Sequence, residues 1–452
     1  MSGILLRGGQ IVDPSQNIHR VGNLLIREGK IARIEISPHP ASPSSGLSLG
    51  GDPSQIAVYD VSGSIILPGL IDLHTHLRDP GDPEKETIAT GTAAAAAGGY
   101  TTILCMANTD PVNDSAKVTR TILDRCNRSA KVKVHPVGAI TRGLAGKELA
   151  DLDGMREGGI VAISDDGETV ANADLLYRAM KWAASSHTLV ISHCEDPDLS
   201  RNRPIHQGES ALNLGIDGAS PLAESLMVER DILLAEATGA WLHLAHISTA
   251  AAVNLIRRAK ERGLSISAEA TPHHLLLKDE DILTAAKERQ GLFRVAPPLR
   301  SRFDVAALKK GLREGTIDMI ATDHAPHLEQ EKNLPFSSAK PGMIGLDIAL
   351  PLCYQLVDEQ KNSNFTFSQL VERMAATPGK RLGPILGQSS LGTLKVGAPA
   401  DIAVFDPRPE WVIDSNHFFS RSKNTPFVGR KVQGRITMTF VDGKLAYQRM
   451  QK

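Results

Sequence analysis

The chain contains 452 residues, of which 41% are hydrophobic and 22% are charged, and its net charge at pH 7 is −1. It has no basic block and no apolar run of about 18 residues, so the composition argues against nucleic-acid and membrane partners. The four cysteines show no CxxC spacing, which predicts reduced thiols in a cytoplasmic protein rather than a disulfide framework.

The two ends of the chain share one sequence pattern. Short Val/Ile/Leu runs broken by glycine occupy 3–36 and again 391–447, and this pattern is typical of antiparallel hairpins. Residues 37–55 are dense in Ser, Pro and Gly and predict an exposed, mobile loop. We therefore expect one small antiparallel β domain built by both termini, from residues 1–62 and 386–452, around a larger domain at 63–385.

Eight apolar, strand-like runs alternate with helix-like segments through the middle of the chain. The predicted strands are 65–76, 101–109, 131–140, 160–167, 188–196, 241–249, 265–274 and 318–327. The predicted helices include 84–98, 146–157, 172–186, 222–238, 250–262 and 304–313. This alternation predicts an α/β fold, a (β/α)8 TIM-like barrel. A doubly wound open sheet is the competing architecture, but polar groups end nearly every strand here rather than gathering at one switch point.

The first of these strands ends in His74-Thr75-His76-Leu77-Arg78. Side chains at i, i+2 and i+4 of a strand share one face, so His74, His76 and Arg78 should project together. Two imidazoles so placed can bind one metal ion, and a guanidinium beside them suits a carboxylate.

Other strand ends carry further candidate ligands. Asp165 and Asp166 end the fourth strand, His193 the fifth, His246 the sixth and Asp323 the eighth. Several imidazoles and carboxylates converging on one barrel mouth need compensation when buried, and a pair of divalent cations supplies it. Two cations about 3.5–4 Å apart, bridged by a carboxylate and a hydroxide, form a recognised hydrolytic arrangement.

The His-x-His opening and the stretches that follow it resemble the dihydroorotases of the amidohydrolase superfamily, in particular the bacterial class I branch. The resemblance covers about residues 60 to 445 in the family's order, and the matching stretches are KETIATGTAAAAAGGYTT, CMANTDP, GAITRGLAGKELADL, ISDDG, SHCEDP, AHISTA, EATPHHLLL, PPLRS, IATDHAPH and SKNTPFVG.

The resemblance implies two divalent ions, with zinc preferred, and assigns them six ligands: His74, His76 and Asp323 for one ion, His193 and His246 for the other, and Asp166 as the bridge. Asp165 is expected to have a structural hydrogen-bonding role. Related hydantoinases, dihydropyrimidinases and allantoinases use a carboxylated lysine as the bridge. The segments VHPVGAITRG and VAISDDG hold no lysine at the end of a strand, which favours the class I branch.

The implied activity is the reversible cyclisation of N-carbamoyl-L-aspartate to L-dihydroorotate and water, a step of pyrimidine biosynthesis. In the ring-opening direction the bridging hydroxide attacks the amide carbonyl, and Asp323 moves the proton to the leaving nitrogen. By resemblance, Arg78 and Asn108 hold the carboxylate of this small-molecule substrate, His327 makes a further contact, and backbone N–H groups near Gly342 assist. The stretch 328–342 is expected to be an active-site loop.

One position departs from the family pattern. The family commonly has an asparagine where this chain has Ala296, before Pro297-Pro298, and that side chain contacts the substrate carboxylate. Losing one such hydrogen bond costs about 1–3 kcal/mol unless Arg294 or a water replaces it. His273 and His274 are left out of the expected site, because the family role of that strand end is mostly structural.

Two other interpretations stay open at this point. The same metal site serves related cyclic-amide hydrolases of the hydantoinase, dihydropyrimidinase and allantoinase type. An inactive homologue acting as a scaffold for aspartate transcarbamoylase is less favoured, since all six ligand positions are filled. Association with that transcarbamoylase as an active partner, and a homo-oligomer, are both compatible with the sequence.

Overall fold

The computed structural model describes residues 3–37, 55–201, 203–357 and 365–450. The loop predicted at 37–55 lies outside the described residues, apart from its first and last positions. Within the described ranges, no helix combines the length and the apolar character needed to cross a membrane.

The strands form two eight-stranded sheets. Their bounds are β1 (Gly3–Asp13), β2 (Ile18–Arg27), β3 (Lys30–Ile36), β4 (Ile56–Asp60), β5 (Ile65–Pro68), β6 (Leu70–Thr75), β7 (Tyr100–Cys105), β8 (Lys133–Gly138), β9 (Ala162–Ile163), β10 (Leu189–Ser192), β11 (Leu242–Leu244), β12 (Ile266–Ala270), β13 (Met319–Ile320), β14 (Ile402–Val412), β15 (Lys431–Val441) and β16 (Lys444–Gln448).

The first sheet joins the two ends of the chain. Its order is β16-β15-β14-β5-β1-β2-β3, with β4 paired to β1. The pairs β1–β2, β2–β3, β14–β15, β15–β16 and β14–β5 are antiparallel, while β4 and β5 run parallel to β1. The small, mainly antiparallel β domain predicted from both termini is therefore confirmed.

The second sheet is parallel, in the order β13-β12-β11-β10-β9-β8-β7-β6, and its two edges meet. Thr75 forms a parallel bridge with His324, and the N–H of His76 donates to the carbonyl of His324 at 2.9 Å. The buried carboxylate of Asp72 accepts the N–H of Thr322 at 3.1 Å and its hydroxyl at 2.6 Å. The predicted (β/α)8 barrel is thus confirmed as a nearly closed eight-stranded barrel.

Helices cover the outside of the barrel and its ends. Their bounds are α1 (Ile88–Ala97), α2 (Ala116–Ser129), α3 (Leu152–Gly158), α4 (Ala173–Ser186), α5 (Pro197–Ser200), α6 (Glu209–Leu214), α7 (Leu222–Thr238), α8 (Ala250–Glu261), α9 (Pro272–Leu276), α10 (Glu280–Thr284), α11 (Arg302–Glu314), α12 (Glu329–Lys332), α13 (Ala349–Tyr354), α14 (Phe367–Val371) and α15 (Thr377–Leu386). Short 3-10 or π turns lie at Pro14–Gln16, Arg142–Leu144, Lys287–Phe293, Glu372–Ala376 and Ser415–His417. All six predicted helices are present: the bounds of 222–238 match those of α7, and the other five have shifted ends.

Alternate residues of the barrel strands enter different apolar clusters. In β10, Val190 packs with helix residues such as Ile232, while Leu189 and Ile191 on either side of it join an inner cluster. That inner cluster includes Leu382 of α15, which closes it at one end. Because successive strand residues point to opposite faces, continuous apolar runs are what a strand buried on both faces requires.

The first predicted strand, 65–76, is in fact two strands. Ile65–Pro68 pairs with β14 and β1 in the terminal sheet, whereas Leu70–Thr75 pairs with β7 in the barrel. The chain changes sheets at Gly69, where a Cβ would lie 2.2 Å from the side chain of Thr101. The terminal sheet therefore extends a few residues beyond the expected boundary at 62, and the domain division itself stays a prediction.

The seventh predicted strand, 265–274, is also too long. It ends at Ala270, and α9 begins at Pro272. The hydroxyl of Thr271 accepts the N–H of His274 at 3.1 Å, which caps the helix. A proline in the first helical turn costs no hydrogen bond, so the sequence Thr-Pro starts a helix here instead of continuing the strand.

Replacing Gly69 with alanine should lower the free energy of unfolding by about 1–3 kcal/mol, because the added Cβ collides with a buried threonine at a sheet junction. Chemical denaturation measures the change. Gly208→Ala is the matched control, since a Cβ there meets its nearest atom at an ordinary 3.5 Å. Equal stability of the Gly69→Ala variant and the native protein would contradict the close packing.

Candidate metal centre

The predicted ligands gather at the carboxyl ends of the barrel strands. His74 lies in β6 with His76 just beyond it, and the other four follow β9, β10, β11 and β13: Asp166, His193, His246 and Asp323. Each of the six is less than 9% exposed. The carboxyl ends of parallel strands share one rim of a barrel, so residues distant in sequence meet there.

The carboxylate of Asp166 lies between two pairs of imidazoles. Its Oδ2 is 3.2 Å from Nε2 of His74 and 3.3 Å from Nε2 of His76. Its Oδ1 is 3.5 Å from Nδ1 of His193 and 3.4 Å from Nε2 of His246. One carboxylate oxygen thus faces each pair, which is the arrangement that a bridging ligand needs.

Asp323 completes the side of the first pair. Its Oδ1 is 3.1 Å from Nε2 of His76 and 3.6 Å from Nε2 of His74. The backbone at Asp323 and at His246 has positive φ, 45° and 32°. Such conformations cost of order 1–3 kcal/mol in a non-glycine residue and persist where the surroundings enforce them, often at functional sites.

The donor set fits divalent cations. Nε2 of His74, Oδ1 of Asp166 and Nδ1 of His246 are buried atoms without a hydrogen-bond partner among the described residues. His74, Asp166 and His246 offer ligand atoms within 4.8 Å of one another, and so do His74, His76 and Asp323. Mixed imidazole and carboxylate ligands in a buried site are those of zinc and similar ions.

The pKa shifts of the buried carboxylates and imidazoles also favour a cation site. Burial would raise the pKa of Asp166, but the surrounding histidines outweigh it and hold that pKa well below its usual range. Burial would likewise lower the pKa of His193, yet Asp166 and Glu195 raise it to about 10. Imidazoles bind metals only when deprotonated, so a cation entering here would replace protons that the imidazoles now carry.

Glu269 of β12 is a functional candidate that the sequence analysis missed. Its fully buried Oε1 is 2.7 Å from Nδ1 of His74 and accepts the N–H of His246 at 3.2 Å, and Oε2 is 2.9 Å from Nε2 of His243. A carboxylate on the far nitrogen fixes the tautomer and orientation of a ligating histidine. The available signal was an acid within an otherwise apolar strand, SISAEA.

His273, which the sequence analysis set aside, lies close to the site. Its buried Nε2 has no hydrogen-bond partner among the described residues. Burial lowers the pKa of His273 to about 4, with Asp323 opposing and His246 and His74 adding to the shift. Its neighbour His274 is hydrogen-bonded instead, with Nε2 3.0 Å from the carbonyl of Pro297.

Asp165 points away from Asp166 towards the end of β8. Its Oδ1 accepts the N–H groups of Ile140 at 2.7 Å and Thr141 at 2.9 Å, and its Oδ2 accepts the Thr141 hydroxyl. These contacts are the structural hydrogen bonds expected of this residue.

Two of the predicted substrate residues lie beside the first imidazole pair. Asn108 is engaged with the site itself, since its Oδ1 is 2.8 Å from Nδ1 of His76. Arg78 has positive φ, 54°, and its Nε donates to the carbonyl of Pro326 at 3.4 Å. Burial lowers the pKa of Arg78, and the nearby Asp323 opposes that shift.

The other two, His327 and Gly342, contact each other's segment. Nε2 of His327 donates to the carbonyl of Pro341 at 2.8 Å. The N–H of Gly342 donates to the carbonyl of Arg294 at 2.9 Å, so it is not free for the substrate contact expected of it. Arg294 was expected to substitute for the family's asparagine, which Ala296 replaces here. Its guanidinium donates to the carbonyl of Ser337 at 2.6 Å.

Comparisons with known proteins identify the family and the fold. The dihydro-orotase-like family model matches residues 63–252. The dihydroorotases of Syntrophus aciditrophicus and Geotalea daltonii are each 44% identical to this chain, covering 98% and 99% of it respectively and 99% of their own length. The solved L-hydantoinase (dihydropyrimidinase) from Arthrobacter aurescens superposes with a TM-score of 0.83 at 22% identity, covering 100% of this chain and 97% of that one, which shows the shared fold. On the strength of the full-length relatives, the chain belongs to the dihydroorotase family.

Proposed function

We infer that this protein is a dihydroorotase, a cyclic-amide hydrolase that interconverts N-carbamoyl-L-aspartate and L-dihydroorotate in pyrimidine biosynthesis. The observation that carries this is 44% identity to dihydroorotases over 98% of the chain. The test is turnover of L-dihydroorotate against dihydrouracil, hydantoin and allantoin. Preference for one of the last three would favour the related hydrolases over the dihydroorotase assignment.

We propose that two divalent ions, zinc in the native enzyme, occupy the site. His74, His76 and Asp323 would hold one, His193 and His246 the other, and Asp166 both. The separate orientation of the two Asp166 oxygens, towards His74 and towards His246, supports the count. When bound, such ions make water acidic enough to act as a nucleophile near neutral pH and polarise the amide carbonyl.

Asp323 is the proposed proton carrier. In the ring-opening direction its carboxylate accepts a proton from the attacking water and then delivers it to the ring nitrogen that leaves. Burial alone would raise the pKa of Asp323, but the imidazoles of His74 and His76 outweigh it and lower that pKa. The group is therefore ionised at neutral pH, the form that a general base requires.

Arg78, Asn108, His327 and the backbone at Gly342 are proposed to receive the substrate. The guanidinium of Arg78 suits the substrate carboxylate because a planar fork of N–H donors matches two carboxylate oxygens. Since Asn108 presents its oxygen to His76, its amide nitrogen is the atom left to donate to the substrate. With the Gly342 N–H already engaged by Arg294, that backbone contact is the least supported of the four.

The oligomeric state, a protein partner and the cellular location are also proposals. Leu222, Leu226 and Leu233 lie on one face of α7 and are each more than half exposed, which supports a homo-oligomer formed through that face. Association with aspartate transcarbamoylase and a cytoplasmic location rest on the family resemblance and the composition.

Glu269→Gln keeps the shape of the side chain but removes the charge that orients His74. Metal affinity should fall by about 10–100-fold, the usual cost of losing such a supporting carboxylate. Competition with a metal indicator measures it, and Glu288→Gln at an exposed position is the matched control. Unchanged affinity in the Glu269 variant would contradict its orienting role.

Neighbouring aspartates give a paired prediction. Asp166→Ala should lower both the bound metal content and the rate, because it removes the proposed shared ligand. Asp165→Ala should retain two metals and appreciable activity, because that side chain only ties Ile140 and Thr141. Elemental analysis with a turnover assay decides, and exchanged outcomes would mean that the wrong aspartate has been assigned as the bridge.

Asp323→Asn keeps the size of the side chain but cannot accept a proton at the working pH. The rate should fall by at least about 10²–10⁴-fold in both directions, the range typical of general acid–base catalysis. Metal content should fall less than in His74→Ala, since an amide oxygen still coordinates weakly. Near-native turnover with both metals bound would rule out Asp323 as the proton carrier.

A further inference from the structure

Residues 333–342, here called the return segment, lead from α12 back to the barrel mouth and contain no helix or strand. Without secondary structure their carbonyls need other donors, because buried backbone acceptors are almost always paired. The segment ends at Gly342, beside a residue of the proposed site. A Cβ at that position would lie 2.7 Å from Cβ of Ala325 and 3.2 Å from Nε2 of His327.

Side chains donate hydrogen bonds to several of these carbonyls. Arg294 donates to the carbonyl of residue 337, His327 to that of 341, and Asn424 to that of 342. Lys332 supplies the largest share, since its Nζ donates to the carbonyls of Lys340 at 2.7 Å and Gly342 at 2.8 Å. Backbone N–H groups of Ser338 and Ala339 donate to the carbonyl of Pro335 in the first half of the segment. The second half, which leads to Gly342, depends mainly on side-chain donors for its carbonyls.

Lys332 is buried, and its amine group is surrounded by backbone carbonyls. It is 1% exposed, and its Nζ has a third acceptor, the carbonyl of Arg294 at 3.1 Å. Burial lowers the pKa of Lys332 to about 7, with Arg294 adding to the shift and Glu331 opposing it. In the ammonium form, the three carbonyls around Nζ use all three of its hydrogens. The adjacent carboxylate of Glu331 lies 3.1 Å from Nζ of Lys85 and accepts the N–H of Leu328 at 2.9 Å, and its Oε2 is 3.4 Å from Nδ1 of His327.

The cation also acts on His327. Burial lowers the pKa of His327 to about 2, and Arg78, Lys332 and Lys85 add to the shift. The ring is therefore neutral, with its Nε2 hydrogen donated to the carbonyl of Pro341, one residue from the Gly342 carbonyl that Lys332 holds. The position of His327 therefore depends on the carbonyls that Lys332 holds, whereas burial is the largest cause of its lowered pKa.

We propose that Lys332 is a positioning residue, whose ammonium ties the carbonyls of Arg294, Lys340 and Gly342 and so holds the return segment and His327 in the geometry that binds substrate. All its hydrogens are used, so it acts through its neighbours and touches no substrate. This inference rests on the proposed function for the identity of the substrate.

The kinetic test compares Lys332→Ala and Lys332→Met with Lys340→Ala, which removes an exposed lysine from the same segment. Both Lys332 variants should raise KM for L-dihydroorotate at least about tenfold, while kcat stays within about threefold. Metal content should equal that of the native enzyme, because no proposed ligand is altered. Lys340→Ala should match the native enzyme in all three readouts.

Chemical rescue separates the ammonium from general damage. In Lys332→Ala, n-propylammonium chloride should restore KM, since it replaces the deleted methylenes and cation, whereas n-propanol should not. Lys332→Met should not respond, because its side chain fills the space. If Lys332→Ala fails to fold, the Met variant, with similar volume, still supplies the kinetic result.

Amide hydrogen exchange in residues 333–342 gives a readout independent of activity. Exchange should be faster in both Lys332 variants and unchanged in Lys340→Ala. A KM within about twofold of native together with native exchange in Lys332→Met would overturn the proposal, and so would loss of metal from that variant. Absence of dihydroorotate turnover by the native protein would instead refute the proposed function, while the exchange comparison would still decide the role of Lys332.

Discussion

The structure is organised around one electrostatic constraint, the burial of Asp166 among four imidazoles and a second carboxylate. Ionisable groups removed from water are costly unless opposite charge compensates them. Protons on His74 and His193 do this in the protein alone, and the proposed metal ions would do it when bound. Only a closed parallel barrel brings six such groups, from five strands, to one rim.

Keeping the ligands in place requires a second layer of contacts. Glu269 fixes His74 through one oxygen and His243 through the other, and Asn108 fixes His76. These partners orient the imidazoles by hydrogen bonds, and Glu269 also supplies a negative charge beside His74. Mutations in this layer should therefore appear as changes in metal affinity before they appear as unfolding.

The terminal parts of the chain contribute to the mouth as well as to the small sheet. Asn424 accepts the N–H of His327 and donates to the carbonyls of Ala325 and Gly342. Ser420 donates to the carboxylate of Glu86, which also faces His324 beside Asp323. The C-terminal region is thereby fastened to the eighth strand end, which couples the small domain to the site.

The sequence alone determined the alternation of strands and helices, the barrel and the terminal β domain, because these depend on periodicity. Side chains at strand ends gave the candidate ligands, and the family resemblance gave their expected roles. The sequence did not reveal the change of sheet at Gly69, since the residues on both sides of Pro68-Gly69 are apolar and the pattern does not show which sheet each half pairs with. Nor did it reveal Glu269 or Lys332, whose importance comes from partners 195 and 38 residues away. Such contacts are fixed only when the barrel closes and the return segment folds back, so tertiary structure decided them.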